Sequence, residues 1–261
     1  MNFASNYRKL AFIPSLSTFM KMKKAIIIGA TSGIGKSLAE LLLLEGYEVG
    51  VTGRREELFQ SIKTQETSRI FFKKMDVQDL STLEPICNEL VRQMGGLDLL
   101  IISAGIGEEN KNLNFEVENS VIKTNIQGFT CMADWAVRYF KEQGYGHLVD
   151  ISSIAGIRGN GIAPSYNATK AYQINYLEGL RINVKDYGSS ITITDVRPGF
   201  VDTPMAKGEG LFWVAPVQKA AQQIFEAINQ KRKVVYITKR WRLIALLLKV
   251  IPFSILIKGF K

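Results

Sequence analysis

The chain has 261 residues, 46% apolar and 22% charged, which excludes a disordered or low-complexity polymer and suits one large α/β domain. Its 33 Lys and Arg outnumber 24 Asp and Glu, for a formal charge of +9. Cys87 and Cys131 form no CxxC pair and His147 is the sole histidine, which excludes a disulfide framework, a zinc ribbon and a serine–histidine hydrolase.

The charge lies at the ends. Met1 to Lys24 carries five basic residues and Lys231 to Lys261 nine, with no acid in either, whereas Ala25 to Gln230 has nineteen basic and twenty-four acidic residues. An acidic body argues against nucleic acid, because a duplex-binding face needs its cations on one folded surface. In the first stretch the apolar patch Leu10–Ile13 is cut by Pro14, too short for a secretory signal. Residues 1–22 therefore read as a loose leader or as lying before the true start, residues 23–238 as the folded domain, and residues 239–261 as a basic, apolar helical extension.

From Lys24 onward short β-branched runs alternate with longer amphipathic stretches. Strands are predicted at Ala25–Ile28, Glu48–Thr52, Ile70–Phe72, Asp98–Ile102, His147–Ile151, Ile191–Val196 and Val234–Ile237. Helices are predicted at Gly35–Glu45, Thr82–Gln93, Thr124–Glu142, Ser165–Lys185 and Pro216–Asn229. Strands separated by crossovers of this length must pair in parallel. The expected fold is α/β, a Rossmann-type doubly wound sheet of about seven parallel strands with helices on both faces.

The first strand runs into Gly29-Ala30-Thr31-Ser32-Gly33-Ile34-Gly35 and then a helix. Glycines permit a tight turn and close approach of a ligand, while a helix N-terminus offers free N–H groups and positive dipole to a pyrophosphate. Gly29, Thr31, Ser32, Gly33, Ile34 and Gly35 are therefore candidate cofactor contacts. At the end of the second strand such folds place an acid for a ribose hydroxyl or an arginine for a 2′-phosphate. Here the chain reads Gly53-Arg54-Arg55, so NADP(H) is expected through Arg54 and Arg55, with NAD(H) the alternative if these are only solvated helix-start residues.

Further on stand Ser153, Tyr166 and Lys170. Tyr166 and Lys170 are four apart and share one helix face. A free tyrosine has a pKa of about 10, and a neighbouring ammonium is expected to lower it into a range useful for proton transfer. His147 reads as a structural donor, and Cys131 and Trp135 as packing residues.

Taken together, the glycine turn, Asp76-Val77 after the third strand, Asn125 in Asn125-Ile126-Gln127-Gly128, Ser153 thirteen residues before Tyr166, the Tyr166/Lys170 pair and Pro198-Gly199-Phe200-Val201-Asp202-Thr203 give a chain that resembles the single-domain short-chain dehydrogenase/reductases from about Lys24 to Ile237. The resemblance implies that Tyr166 donates or takes the proton at a substrate carbonyl or alcohol. Lys170 would hold the nicotinamide ribose, Ser153 the substrate oxygen, and Asn125 a water-linked proton path from the lysine. Asp76 and Val77 would contact the adenine, and Val201 and Thr203 the carboxamide. The family usually has Asn-Asn-Ala-Gly after its fourth strand. Here Ile102-Ser103-Ala104-Gly105 keeps only Ala104 and Gly105, the residues that let the backbone pass close to the cofactor.

The expected function is thus an NADP(H)-dependent oxidoreductase interconverting a carbonyl and an alcohol, with a non-catalytic cofactor-binding regulator as the alternative. The pocket is expected from Ile106–Asn114, Ile157–Pro164 and a glycine-hinged, apolar Met205–Val214 lid that suits an apolar substrate. Expected partners are a small-molecule substrate and further copies of the chain in a dimer or tetramer; no metal is expected. The extension from Lys239 to Ile257 mixes Trp and Leu with Arg242 and Lys249 and is broken by Pro252, too polar to span a bilayer. It reads either as an in-plane membrane-surface helix or as one packed on its own domain or a partner subunit. The expected location is cytoplasmic, with peripheral contact at the inner membrane surface.

Overall fold

The computed structural model describes residues 22–62, 67–206 and 211–259, with side chains to residue 257. The leader at 1–21 and the 207–210 part of the expected lid lie outside these residues.

Seven strands form one parallel sheet among the described residues: β1 Lys24–Ile28, β2 Glu48–Gly53, β3 Ile70–Lys74, β4 Leu99–Ile102, β5 Gly146–Ile151, β6 Ile191–Pro198 and β7 Val234–Ile237, in the order β3-β2-β1-β4-β5-β6-β7. The order reverses between β1 and β4, which opens a crevice at the carboxyl ends of those two strands. Helices α1 Gly33–Leu44 and α6 Val217–Asn229 cover one face; α2 Leu80–Met94, α4 Phe129–Gln143 and α5 Pro164–Asn183 cover the other. Alternation along β1 divides its side chains between the two layers. Ala25 and Ile27 join the α1/α6 core, Ile26 and Ile28 the α2/α4/α5 core, and all four are inaccessible to solvent.

The helix expected at Thr124–Glu142 starts earlier. Asn114 caps α3, Phe115–Ile122, by accepting from the Glu116 amide at 2.9 Å. α3 then continues through a π turn, Lys123–Gly128, into α4. The polar run Glu118-Asn119-Ser120 and the β-branched Thr124 hide the helical period in the sequence. At the other end of the chain, the expected single helix is two: α7 Trp241–Val250 and α8 Phe253–Gly259. Ile251, forced by Pro252 out of helical geometry, sits at ψ 126° between them.

A polar stripe runs from β5 across β6 to the segment before β7. His147 Nε2 donates to Thr194 Oγ1 at 2.7 Å, whose hydroxyl in turn donates to the Arg232 carbonyl. Burial, aided by Lys231, pushes the His147 pKa from 6.5 down to about 4. Native His147 therefore stays neutral to about pH 4, while the unfolded chain takes up a proton near pH 6.5. In that window the unfolded state binds more protons, so stability falls as the pH drops. Urea unfolding across it should show His147→Gln losing about 2–3 kcal/mol less than the parent protein on acidification; parallel curves for the two would refute the assignment. Next to this stripe, Arg197 donates from Nε to Asp195 Oδ2 at 2.7 Å and from Nη1 to the Tyr236 hydroxyl at 3.1 Å, an ion pair almost wholly buried.

Candidate active site

The turn after β1 is held by two amides, Gly29 N and Ala30 N, that both donate to the Thr52 carbonyl at 3.1 and 2.9 Å. Its glycines are required by space as well as by conformation. A Cβ on Gly35 would come within 2.2 Å of the Gly29 carbonyl oxygen, and one on Gly29, at φ +88°, within 2.6 Å of the Ala104 amide nitrogen. Ser32 caps α1 without a side-chain bond, and the first turn holds no acid, so its orphan N–H groups and positive dipole face no built-in anion. Beside them, Arg55 Nη2 donates to Thr31 Oγ1 at 3.2 Å and to Ser32 Oγ at 3.1 Å. Arg54, exposed like Arg55, makes no such bond to the turn among the described residues. The structure thus separates the two arginines, which the sequence could not.

Two other segments reach this turn. Val201 is buried and pairs with Ala215, and Thr203 packs a methyl 3.2 Å from where a Gly33 Cβ would stand. Ile34 lies half-buried in the first turn of α1. Asp76 is exposed beyond β3 and accepts from the Gln78 amide at 3.0 Å, while Val77 is fixed against Gly128, where a Cβ would meet the Val77 carbonyl at 2.5 Å. Free N–H groups, missing Cβ atoms and one cation at the β2 end form a donor set that fits a dinucleotide pyrophosphate. No cluster of His, Cys, Asp and Glu suited to a metal occurs among the described residues.

Past β4, Asn125 sits in the π turn with no solvent exposure. Its side chain accepts from the Ile106 amide at 2.9 Å and donates to the Ile106 carbonyl at 2.8 Å and Thr169 Oγ1 at 3.1 Å. Such π turns displace the backbone ladder and recur at functional sites; here the Asn125 carbonyl accepts from Gln173 Nε2 at 2.9 Å. Gln173 also accepts from Lys170 Nζ at 2.8 Å, and that ammonium donates to the Ile151 carbonyl at 2.9 Å. Gly105 borders both groups, a Cβ there standing 3.4 Å from Asn125 Oδ1 and 3.5 Å from Lys170 Nζ, in ordinary contact.

Tyr166 lies one turn before Lys170, its ring 6.0 Å from the Lys170 Nζ and pressed against Gly107, where a Cβ would come within 2.8 Å. The expected electrostatics are not those of this arrangement. Burial raises the Tyr166 pKa above its ordinary value, with a hydrogen bond from Ser153 opposing the rise, and burial lowers that of Lys170 against the pull of Asp150 and Asp195. Lys170 spends its donors on Ile151 and Gln173 rather than on the phenol. Asp150 is held above the usual carboxylate range, chiefly by its own burial. Ser152 and Ser153 also divide. Ser152 Oγ donates into the sheet, to Asp195 and to the Val196 carbonyl, whereas Ser153 faces Tyr166 and caps the Ile154–Ile157 turn by accepting from the Ala155 amide at 3.1 Å.

That turn is tied to the chain terminus. Arg158, directly after it, donates from Nε to the Leu248 carbonyl at 2.7 Å and from Nη2 to the Ile251 carbonyl at 2.8 Å, satisfying the end of α7. Trp241, at the start of α7, is buried over Gly199, where a Cβ would overlap its indole, and against Phe200 and Phe212 at ring distances of 5.4 and 5.1 Å. Gln173 went unseen in the sequence, although its i,i+3 spacing from Lys170 was a signal for it. Gly107 and Arg158 fall inside the expected pocket segments Ile106–Asn114 and Ile157–Pro164 but were not singled out there.

With the glycine turn and the tyrosine–lysine pair opening on one crevice of a doubly wound sheet, the chain falls among the Rossmann-type oxidoreductases. It belongs to the short chain dehydrogenase family, whose sequence model matches residues 23–211. An uncharacterized oxidoreductase of Myxococcus xanthus (strain DK1622) is 33% identical over 196 residues, 71% of this chain and 75% of the relative. One from Staphylococcus aureus (strain USA300) is 33% identical over 189 residues, 71% and 81%. Among solved structures, ElxO with NADP bound superposes with a TM-score of 0.74 at 27% identity, covering 83% of this chain and 97% of ElxO. A short-chain dehydrogenase from Streptomyces avermitilis shares the fold, with a TM-score of 0.75 at 22% identity over 87% of this chain and 91% of the other.

Proposed function

We propose that the protein is an NADP(H)-dependent oxidoreductase that interconverts a carbonyl and a primary or secondary alcohol, with Tyr166 as the proton donor or acceptor and an apolar substrate. The observation that carries this reading is the single network joining Asn125, Gln173 and Lys170, with Tyr166 and Ser153 beside it, at the mouth of a turn shaped for a pyrophosphate. NADP bound to ElxO supports the choice of cofactor.

The turn residues Gly29, Thr31, Ser32, Gly33, Ile34 and Gly35 would hold the pyrophosphate, Arg55 the 2′-phosphate, Asp76 and Val77 the adenine, and Val201 and Thr203 the carboxamide, with Ala104 and Gly105 letting the backbone pass close to the cofactor. When bound, the cofactor would supply or accept a hydride. Ser153 holds the substrate oxygen by its hydroxyl. Tyr166, kept protonated by burial, gives its proton to that oxygen in reduction and takes one back in oxidation. Lys170 uses two of its three N–H donors on the protein, which leaves one for ribose hydroxyls. Asn125 and Gln173 hold the ammonium in place, and the water-linked proton path implied by the family starts from this chain. Phe200, Phe212, Trp213 and Trp241 form an aromatic cluster, and its exposed members Phe212 and Trp213, within the expected lid segment, suit an apolar substrate. Assembly as a dimer or tetramer and a cytoplasmic location belong to the same reading and rest on the family resemblance.

NADPH oxidation, followed against ketones and aldehydes of graded chain length, tests the assignment. Turnover rising with chain length is expected; tight NADPH binding without turnover on any of them would favour a regulator. Arg55→Ala should weaken NADPH by about 1.5–3 kcal/mol, the range for hydrogen bonds to a charged group, and leave NADH nearly unchanged. Equal losses in fluorescence titrations would show that Arg55 only shapes the turn.

A further inference from the structure

Along α7 successive residues advance by about 100°. Trp241, Ile244, Ala245 and Leu248 form the stripe turned to the domain. Leu243, Leu246, Leu247 and Val250 fall on the opposite side and are all exposed, Leu243 by 70% and Val250 by 75%. A solvated helix would carry polar residues there; this one carries a second apolar stripe, with Arg242 and Lys249 along one flank. Past Pro252 the apolar exposure resumes at Phe253, 68% exposed, Ile255 and Ile257, of which Phe253 and Ile257 also border a cavity with Ile157 and Pro164. At the start of α7, half-exposed Trp213 lies under the Arg240 guanidinium at 4.8 Å. From Lys231 to Lys261 there is no acid.

We propose that the outward face of α7 and α8 docks the protein on an anionic lipid surface. No described helix is long and apolar enough to cross a membrane, so the contact lies in the plane of the headgroups. Leucines, Phe253 and Val250 enter the acyl boundary, Trp213 sits at the interface, and Arg240, Arg242 and Lys249 meet lipid phosphates. Charge selects lipid over a second copy of the chain. A two-fold contact through this face would set its arginines and lysine against their own kind with no carboxylate in the segment to receive them. The exposed apolar stripe is also foreign to a nucleic-acid surface. Docking here does not depend on the catalytic reading.

Full-length protein is to be floated with phosphatidylglycerol vesicles and with phosphatidylcholine vesicles, at low and high salt. Because truncation would remove Trp241 and uncover Phe200 and Phe212, point variants on the exposed face are used, with circular dichroism and thermal melting as controls of folding. The protein is expected to float with the anionic vesicles, less so at high salt, and weakly with the neutral ones. Arg242→Gln with Lys249→Gln should reduce binding to anionic vesicles about tenfold. Leu243→Glu with Val250→Glu should reduce it about a hundredfold while the fold is kept. Parent protein that stays at the bottom of the gradient at low salt would overturn the proposal. So would folded Leu243→Glu/Val250→Glu protein that floats as well as the parent, or sedimentation showing a dimer that these substitutions split without any vesicle binding.

Discussion

Tyr166→Phe should lower kcat by about 10²–10⁴-fold while NADPH affinity stays close to that of the parent protein. The hydroxyl is removed from a half-buried ring whose packing against Gly107 is unchanged, so the loss falls on proton transfer rather than on the fold. Lys170 keeps its partners, since it is bonded to Ile151 and Gln173 and not to the phenol, and Ser153 loses the phenol but keeps the Ala155 amide. Steady-state rates on a substrate found in the chain-length series, with fluorescence titration of NADPH, check both halves. A variant with near-normal kcat would remove Tyr166 from the mechanism, and one unable to bind NADPH would show that the ring helps build the cofactor site.

The second large effect is on stability. Asp195→Ala should destabilise the protein by about 3–5 kcal/mol, because it removes the carboxylate paired with the buried Arg197 guanidinium, leaving it the Tyr236 hydroxyl, and takes away one of the two acceptors of Ser152. At about 2–4 °C per kcal/mol for a domain of this size, the melting temperature should fall by roughly 6–20 °C. Asp195→Ala combined with Arg197→Met should recover most of the loss, since no unpaired charge is then left inside. If the double variant is as unstable as the single one, packing at Asp195 and not the ion pair accounts for the effect.

Much of this was legible beforehand for a physical reason. Buried parallel strands must be apolar on both faces, so Ala25–Ile28 and Leu99–Ile102 announce themselves, and the glycine turn is fixed by contacts that no side chain can share. The family landmarks then located Tyr166, Lys170, Ser153 and Asn125 in order. What stayed hidden depends on groups that meet only after folding. The π turn at Lys123–Gly128 has no period of its own, and nothing in Gly53-Arg54-Arg55 shows which arginine returns to Thr31. The pKa of Tyr166 was misjudged because helix spacing brings Lys170 near, while burial, which spacing does not reveal, dominates.

The clasp between Arg158 and the carbonyls of Leu248 and Ile251 also bears on the order in which the protein is made. Its two sides lie 90 and 93 residues apart in the chain. Synthesis delivers the glycine turn, Ser153 and Tyr166 long before α7 exists. A nascent chain that has only reached β7 holds the whole sheet, yet its serine turn lacks the contact that steadies it from outside. The turn beside the reactive groups is therefore finished from a later-translated stretch, and a product stopped short of α7 carries every catalytic side chain but leaves the segment after Ser153 unbraced.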